Sequence, residues 1–332
     1  MPKKQPVDIL EALKANIAER QSIGKQVVIE RDDFVQSASG IGNQTQELVH
    51  QSNPTQGSTT QGSTNTDEHL ELLFLPLSVQ SSWLPAKGFV TFHRRQFGNS
   101  DIVCESRRLP NGLEVGLPTG IQARRILMAA ITRSVQMKSR HVHVPSLVQL
   151  MEWAGLYFTG KRHRAAQKTL LQLQLMDTTI WFGSQKSYQI HDGKIFDSLS
   201  MEITKNKQGS FDFIPQEVVF TDKFYKQVIE NRAMPLDKDL VFKASSPIEH
   251  DILIWLITRQ ADWRLKSKPV KLSYEMLYPQ FARSWQDQTQ FKYWFKKALL
   301  SVVQKFSRNV DVNKNFVSIG HQASSVPVKH FK

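Results

Sequence analysis

The sequence has a single cysteine, Cys104, among its 332 residues. One thiol cannot form an internal disulfide, and it excludes a zinc site built from cysteines. A chain without disulfides is typical of a reducing compartment, so we expect a cytoplasmic protein. The sequence also lacks a run of about 18 apolar residues and has no apolar signal region after Lys3 and Lys4. We therefore expect neither export nor a membrane partner.

Acidic residues are scarce relative to basic ones. The chain has 43 Lys and Arg against 30 Asp and Glu, a formal net charge of +13 and an isoelectric point near 9.7. Residues 1–69 carry 6 basic and 9 acidic side chains, whereas the remainder carries 37 and 21. A basic body behind a mildly acidic tail predicts a polyanionic partner.

The N-terminal part has few large apolar side chains. Residues 7–21 have the apolar spacing of a short amphipathic helix, which would dock on the body or on a partner. Residues 36–66 are mostly Gln, Ser, Thr, Gly and Asn and cannot bury a core, which predicts a flexible, disordered tether. We divide the chain into a tail at 1–35, a linker at 36–67, a first folded domain at 68–210, a second at 211–322 and a C-terminal tail at 323–332.

The stretch from Leu117 to Leu175 has the order of a helix-turn-helix module. It predicts one helix after the turn at 118–120, then a short β-prone piece with a second helix, then a third helix with a basic leading end. In such modules the last helix enters the DNA major groove, and its first turns meet bases and phosphates. The alternative for this helix is a solvated basic face. Strand-like runs at 178–207 follow it and predict the β-hairpin wing of a winged-helix domain.

A similar order of elements recurs at 218–319. A strand and a short helix precede an apolar helix at 246–263, and Asp287 is placed to cap a last helix with basic and amide side chains near its start. Strand-like runs at 308–319 predict a second wing. The predicted fold class is therefore α+β, with two tandem winged-helix domains behind the tether.

The candidate DNA-binding residues come from the two basic helices. In the first helix they are Lys161, Arg162, His163, Arg164, Gln167, Lys168 and Gln172; in the second they are Gln288, Thr289, Gln290, Lys292, Tyr293, Lys296 and Lys297. Candidate phosphate contacts elsewhere are Arg94, Arg95, Arg107, Arg108, Arg124, Lys186 and Lys194. Arginine pairs in loops are also common as plain solvated charge.

Two short patterns would point to an enzyme instead. His141-Val142-His143 matches the His-apolar-His element of rolling-circle nucleases, but no tyrosine with an activating lysine accompanies it. The segment 155–162 nearly spells a phosphate-binding loop, yet Arg162 stands where a Ser or Thr is needed and a helix precedes it. There Gly155 more naturally ends one helix, and Thr159-Gly160 begins the next. We expect no catalysis, no metal site and no cofactor.

Three longer segments resemble one family. They are GLPTGIQARRIL at 116–127, VHVPSLVQLMEWAGLYFTGKR at 142–162, and the block at 218–260 with its Pro-Leu-Asp turn and Ser-Pro helix. They resemble, in order, motifs of the RepA-type plasmid replication initiators, and the resemblance extends over about residues 70–319. Thr119 departs from the Tyr that is usual in the first motif, which affects local packing.

The resemblance implies a protein that binds repeated sites (iterons) at a plasmid origin and helps to open the duplex. It also implies recruitment of a host initiator and of a replicative helicase or its loader. By analogy with better-known initiators, homodimers would repress and monomers would initiate. Two alternatives stay open: a winged-helix transcriptional regulator or autorepressor, and a rolling-circle nicking initiator.

Overall fold

The computed structural model describes residues 72–76, 83–97, 100–108, 114–184, 187–205, 211–230, 233–261, 268–282 and 287–323. The predicted helix at 7–21, the tether at 36–67 and the tail from residue 324 lie outside these residues. The chain is a mixed helix and sheet protein in the part that the structure describes.

Helices are numbered in chain order over the described residues. They are α1 (Gly120–Met137), α2 (Leu147–Trp153), α3 (Gly160–Gln174), α4 (Asp222–Phe224, continued by a π-helical turn at Tyr225–Ile229), α5 (Lys238–Phe242), α6 (Pro247–Gln260), α7 (Tyr274–Phe281) and α8 (Gln288–Phe306). All three helices predicted between Leu117 and Leu175 are present, and so are the predicted apolar helix (α6) and the last helix (α8).

The strands are numbered in the same way. They are β1 (Leu72–Pro76), β2 (Phe92–Phe97), β3 (Ser100–Ser106), β4 (His141–His143), β5 (Met176–Ser184), β6 (Ser187–Lys194), β7 (Phe196–Lys205), β8 (Phe211–Phe220), β9 (Ala233–Asp237), β10 (Val270–Ser273), β11 (Val310–Val312) and β12 (Phe316–Ile319). They form four sheets with the orders β1-β9, β2-β3-β5-β6, β4-β8-β7 and β10-β12-β11.

Two of these sheets have the same topology. In the sheet β4-β8-β7, the short strand before α2 pairs with the second strand of a hairpin, and Val142 lies opposite Val218. In the sheet β10-β12-β11, the short strand before α7 likewise pairs with the second strand of a hairpin, and Leu272 lies opposite Val317. Each sheet accompanies three helices in the same chain order, which are α1, α2 and α3 in one and α6, α7 and α8 in the other.

The predicted division at 210/211 is therefore wrong. It falls inside the hairpin β7–β8, which is paired from Phe196–Phe220 to Lys205–Phe211. Because β8 is the central strand of the sheet β4-β8-β7, it belongs to the first unit. The hairpin β5–β6, which the sequence reading included in the first wing, instead extends a separate sheet through β3.

The packing of apolar side chains places the division near residue 243. One core includes buried side chains from Leu73 to Val241, and a second core runs from Ala244 to Ile319. We call residues 72–242 the first module and 244–323 the second module. Stacked and edge-on aromatic rings contribute to the two cores, for example the stacked pair Phe220–Phe224 in the first and the edge-on pair Trp255–Phe281 in the second.

Helix α6 contributes to both cores. Ser246 caps its first turn by accepting from Glu249 N, and Pro247 occupies the first helical position, where the missing N–H costs nothing. Ile254 packs in the first core, whereas Leu253 and Trp255 pack in the second. The helix is apolar on most sides because it lies between two cores, as its sequence predicted.

Candidate nucleic-acid interface

Helix α3 begins with a run of cations at an exposed end. Thr159 caps it, and its Oγ1 accepts a hydrogen bond from Arg162 N at 3.2 Å. Lys161, Arg162 and Arg164 are exposed, and the first turn has no acidic side chain. Cations at a helix N-terminus oppose the helix dipole and do not stabilise the helix. The free backbone N–H groups and the cations at this end together suit an anion such as phosphate.

Only the first two turns of α3 are open to solvent. From Thr169 to Leu175 every side chain is buried, because this half packs against α1 and β7. Gln167 is 5% exposed and Gln172 is 8% exposed, and Gln172 Nε2 donates to Val115 O. These two glutamines were predicted to read DNA, and their burial corrects that prediction. His163 and Lys168 are half-buried at the edge of the exposed part.

Two exposed aromatic rings precede α3 and are not among the candidate residues chosen from the sequence. Tyr157 is 82% exposed and Phe158 is 58% exposed, in the short connection between α2 and α3. The Phe158 ring lies edge-on to the His163 ring at 5.6 Å, beside the basic end of the helix. Two adjacent large side chains in a two-helix connection were the available signal, because such a connection is normally polar.

Helix α8 presents one open face along its length. Phe291, Phe295, Leu299, Val302 and Phe306 form its buried stripe. Of the predicted interface residues, Gln288, Thr289, Gln290, Tyr293 and Lys297 are exposed, and Lys292 and Lys296 are half-buried. The cap prediction for Asp287 is confirmed, since its Oδ1 accepts from Thr289 N at 2.9 Å.

Aromatic rings and cations alternate on this face. Lys297 Nζ lies 5.3 Å from the centre of the Trp294 ring, and that ring packs edge-on against Tyr293. Lys292 Nζ lies 5.2 Å from the Tyr274 ring, whose hydroxyl donates to Asn313 O at 3.0 Å. The turn between β11 and β12 is thereby held on the same side as the start of α8. Exposed Lys314 in this turn is a further cation that sequence reasoning missed.

The predicted phosphate contacts outside the two basic helices differ in their exposure. Arg94, Arg107 and Arg108 are exposed but form ion pairs with Asp101, Asp177 and Glu114 respectively. Exposed pairs contribute only about 0–1 kcal/mol, so these guanidinium groups remain available to phosphate and stay predictions. Lys194 is half-buried, and Lys186 lies outside the described residues.

Two arginines of that set are buried, which corrects their assignment. Arg95 is 8% exposed and donates to Arg94 O. Arg124 is 7% exposed and pairs with Asp251, with Nε to Oδ1 at 2.9 Å, and it also donates to the carbonyls of Leu84, Pro85 and Gly120. Because its donors are directed at buried acceptors, Arg124 has a structural role and is not a phosphate contact.

The two enzyme-like patterns have structural explanations. Gly155 follows α2 with φ of +61°, and Thr159 caps α3. The segment 155–162, which nearly spells a phosphate-binding loop, is therefore the end of one helix and the start of the next, as the second interpretation of the sequence predicted. His141 and His143 are exposed on β4, and His141 Nδ1 lies 3.0 Å from Glu217 Oε1. Over the described ranges, no three His, Cys, Asp or Glu side chains are grouped closely enough to hold a metal ion.

Cys104 is not placed to act as a nucleophile. Its side chain is fully buried, and burial raises the pKa of the thiol to about 12. A reactive thiolate needs the opposite, a lowered pKa at an accessible site.

None of the helices in the described residues has the length and apolar character needed to cross a membrane.

The chain was compared with family models, curated protein sequences and solved structures. No family model and no curated protein sequence matches this chain. Among solved structures, it is similar to a crystal structure of domains 2 and 3 of RctB from selenomethionine protein, with 11% identity and a TM-score of 0.44 over 73% of this chain and 95% of that chain. A second crystal structure of RctB domains 2–3 matches with 12% identity and a TM-score of 0.41 over 73% and 96%. Likeness at this level assigns neither a family nor a function.

Proposed function

We propose that this chain is a sequence-specific double-stranded DNA-binding protein that initiates plasmid replication. One observation carries the DNA-binding part of the proposal. Two helices, α3 and α8, present exposed basic or amide side chains in their first halves and occupy the same topological place in two modules of a strongly basic body. A repeated element that presents cations and amides is what a protein that reads a long duplex site needs.

The shared topology supports two tandem winged-helix domains. In each module, a helix is followed by a short strand, a short helix, the basic helix and a hairpin that pairs back onto the short strand. In the first module, the strands β5 and β6 of a separate sheet stand between the basic helix and this hairpin. The third helix would enter the major groove, and the hairpin would lie along the neighbouring backbone. In the second module, the contact from Tyr274 to Asn313 supports this role by holding the hairpin turn close to α8.

Some exposed side chains of the two helices would contact phosphates, and others would contact bases. Lys161, Arg162 and Lys297 would neutralise phosphates, which supplies affinity that falls steeply with salt. Arg164, Gln288 and Gln290 would reach base edges, where guanidinium and amide groups form paired hydrogen bonds with guanine and adenine. The rings of Tyr157, Phe158 and Trp294 would contact thymine methyl groups or sugars beside those bases.

The initiator part of the proposal rests on the sequence resemblance at residues 70–319. On this proposal, the chain binds repeated sites at a plasmid origin and helps to open the duplex. It also contacts a host initiator and a helicase or its loader. A homodimer that represses its own gene belongs to the same proposal. A winged-helix regulator is the alternative, and a nicking initiator that uses His141 and His143 is the weaker one.

Footprinting of the purified full chain on DNA flanking its own gene, across a series of salt concentrations, tests the proposal. We expect regularly spaced protection over direct repeats, with log affinity falling linearly with log salt. Arg164→Ala should weaken specific binding by about 1–3 kcal/mol if it reads a base. Arg133→Ala is the matched control, because Arg133 lies over the Trp153 ring at 4.2 Å, away from the exposed end of α3.

Other footprints would support other functions. Protection of a single inverted repeat at a promoter, with no origin-dependent replication in a cell, would favour a dimeric regulator. Strand cleavage that depends on magnesium or manganese, and that is lost in His141→Ala, would favour a nicking initiator. Binding without any sequence preference would overturn specific recognition altogether.

A further inference from the structure

The two modules are joined through one arginine of α1. Arg125 Nη2 donates to the carbonyl oxygens of Phe242 at 2.6 Å and Ala244 at 2.9 Å, which flank the division between the modules. Its Nη1 donates to Gly155 O at 3.2 Å, in the connection that leads to α3. The guanidinium group also lies 5.0 Å from the centre of the Phe242 ring. One side chain therefore ties together α1, the start of α3 and the link to the second module.

The same link is packed closely against the connection before α3. Gly155 has φ of +61°, and the ring of Phe242 occupies the place where a Cβ would stand, with its Cδ2 2.2 Å from the ideal Cβ position. No side chain other than hydrogen fits there without moving the ring. The connection that follows α2 is therefore packed directly against the end of α5.

A buried ion pair provides a second tie beside the first. Arg124 on α1 and Asp251 on α6 are both buried, and their side chains meet with Nε to Oδ1 at 2.9 Å and Nη2 to Oδ2 at 3.1 Å. We call the zone formed by Arg124, Arg125, Asp251 and residues 242–244 the junction. Bidentate pairing fixes orientation as well as distance, so α6 is held at one angle to α1.

The junction reaches the exposed cations of α3. Gln122 Nε2, from the same face of α1, donates to Arg162 O at 3.0 Å. The pKa of Arg125 is lowered by burial and, to a smaller extent, by the positive charge of Arg162. The side chain that holds the second module is therefore adjacent to the end of α3 that we assign to DNA.

We propose that Arg125 is a positioning residue that sets the separation between α3 and α8, so that the chain recognises its two half-sites at one fixed spacing. This inference rests on the proposed DNA-binding function. A five-base-pair insertion turns one half-site by about half a helical turn relative to the other. A rigid junction cannot follow that rotation, whereas a loosened junction can.

Arg125 is better suited to this role than a lysine would be. Its guanidinium group has fixed, divergent donors and bridges three carbonyls that come from two separate segments. A lysine ammonium would keep the charge without the planar geometry. Arg125→Lys therefore separates the effect of charge from that of positioning, and it is less disruptive than Arg125→Ala.

The test uses the full chain and 40-base-pair duplexes selected from a random pool by the wild-type protein. Insertions of five and ten base pairs are placed between the two protected halves. We expect the wild type to lose about tenfold or more in affinity at five base pairs and to recover part of it at ten, one helical turn. Arg125→Lys and Arg125→Ala should reduce this discrimination to about threefold or less. Arg133→Ala, on the same helix, should keep it.

A second measurement needs no DNA. Spin labels at Ala165→Cys on α3 and Gln304→Cys on α8, both exposed positions, report the separation of the two helices by pulsed electron resonance. We expect one narrow distance distribution in the wild type and a broadened or shifted one in Arg125→Lys. An unchanged distribution in a folded Arg125→Lys, or unchanged discrimination between spacings, would overturn the positioning role.

The two proposals fail in different ways. A wild type that selects no duplex from the pool overturns the proposed DNA-binding function, and the spin-label distances then decide the positioning role alone. A wild type that discriminates between spacings, with variants that discriminate equally well, leaves DNA binding intact and overturns only the role of Arg125.

Discussion

The two basic helices begin in the same way and end in different surroundings. Both are capped by a side chain, and neither has an acidic residue in its first turn. In α3 the side chains from Thr169 onward are buried on every side, whereas α8 buries only a stripe and keeps one face open to its end. Helix α3 is therefore part of the packed core of its module, whereas α8 lies on the surface of its module.

Their supports differ as well. The start of α3 is held by Gln122 of α1, which donates to Arg162 O, and the connection before it by Arg125 of the junction, which donates to Gly155 O. The start of α8 is fixed to its own hairpin through Tyr274, which contacts both Lys292 and Asn313. Perturbing the junction should therefore affect α3 and the relative placement of the modules, and it should leave the internal packing of the second module unchanged.

The largest effect is expected at the buried ion pair. Asp251→Ala leaves Arg124 buried with carbonyl acceptors but no countercharge, and should lower the free energy of unfolding by about 3–5 kcal/mol. Asp177→Ala removes the partner of Arg107 from an exposed pair and should cost about 0–1 kcal/mol. Urea unfolding of both variants measures the contrast. Equal losses would mean that the junction is no better organised than the surface.

A smaller effect is expected at the glycine before α3. Gly155→Ala should lower the free energy of unfolding by about 1–2 kcal/mol because alanine is strained in the left-handed conformation. Displacing the Phe242 ring should lower it by about 1–3 kcal/mol more. Gly160→Ala, at the other end of the same connection, meets no atom within 4 Å and should stabilise the helix by about 0.5–1 kcal/mol. Thermal unfolding of the pair checks the opposite signs. A neutral Gly155→Ala would contradict both the backbone strain and the steric contact with the Phe242 ring.

Much of the secondary structure could be predicted from the sequence. Caps such as Thr159, Ser246 and Asp287 mark the starts of α3, α6 and α8, because a short polar side chain before a periodic apolar run satisfies free backbone N–H groups. The apolar spacing of α8 predicted its buried stripe for the same local reason. These features depend on neighbours within a few residues along the chain.

The wrong sequence predictions concern contacts between segments that are far apart in the chain. The strand β8 was assigned to the second domain because it precedes the second set of helices, but its partner is β4, far earlier in the chain. Gln167 and Gln172 looked like part of a basic face because a helical wheel shows one helix without the elements around it. Arg124 looked like a surface cation for the same reason, since its acid, Asp251, lies 127 residues away.

A pH-dependent effect on stability that begins at about pH 6.5, the ordinary histidine pKa, is expected at the junction. His250 is buried beside Asp251, Arg124 and Arg125, and its Nδ1 is 3.5 Å from Asp251 Oδ1, too long for a well-formed hydrogen bond. Burial lowers the pKa of His250, with the two arginines adding to the shift and Asp251 opposing it. The unfolded chain therefore takes up the proton first. Stability should be fully present above about pH 6.5 and should be lost as the pH falls below that value.

The slope should reach about 1.4 kcal/mol per pH unit. His250→Gln, which cannot take up a proton, should remove this part of the dependence when its urea unfolding is compared with the wild type between pH 7.5 and pH 5, a window of about 2.5 units around the ordinary histidine pKa. Parallel curves for the two proteins would contradict the assignment, because other histidines and carboxylates contribute equally to both.

The smallest effect on stability is expected at the exposed lysines of the two helices, which test whether both read DNA. Lys161→Ala and Lys297→Ala should each change the free energy of unfolding by less than about 0.5 kcal/mol. Each should lower the slope of log affinity against log salt by about one unit if the lysine holds a phosphate. Equal reductions would indicate that α3 and α8 both contact the duplex. A reduction at Lys161 alone would leave α8 without a role in DNA binding, and its open face, with Tyr293 and Trp294, would then be free to contact a protein partner.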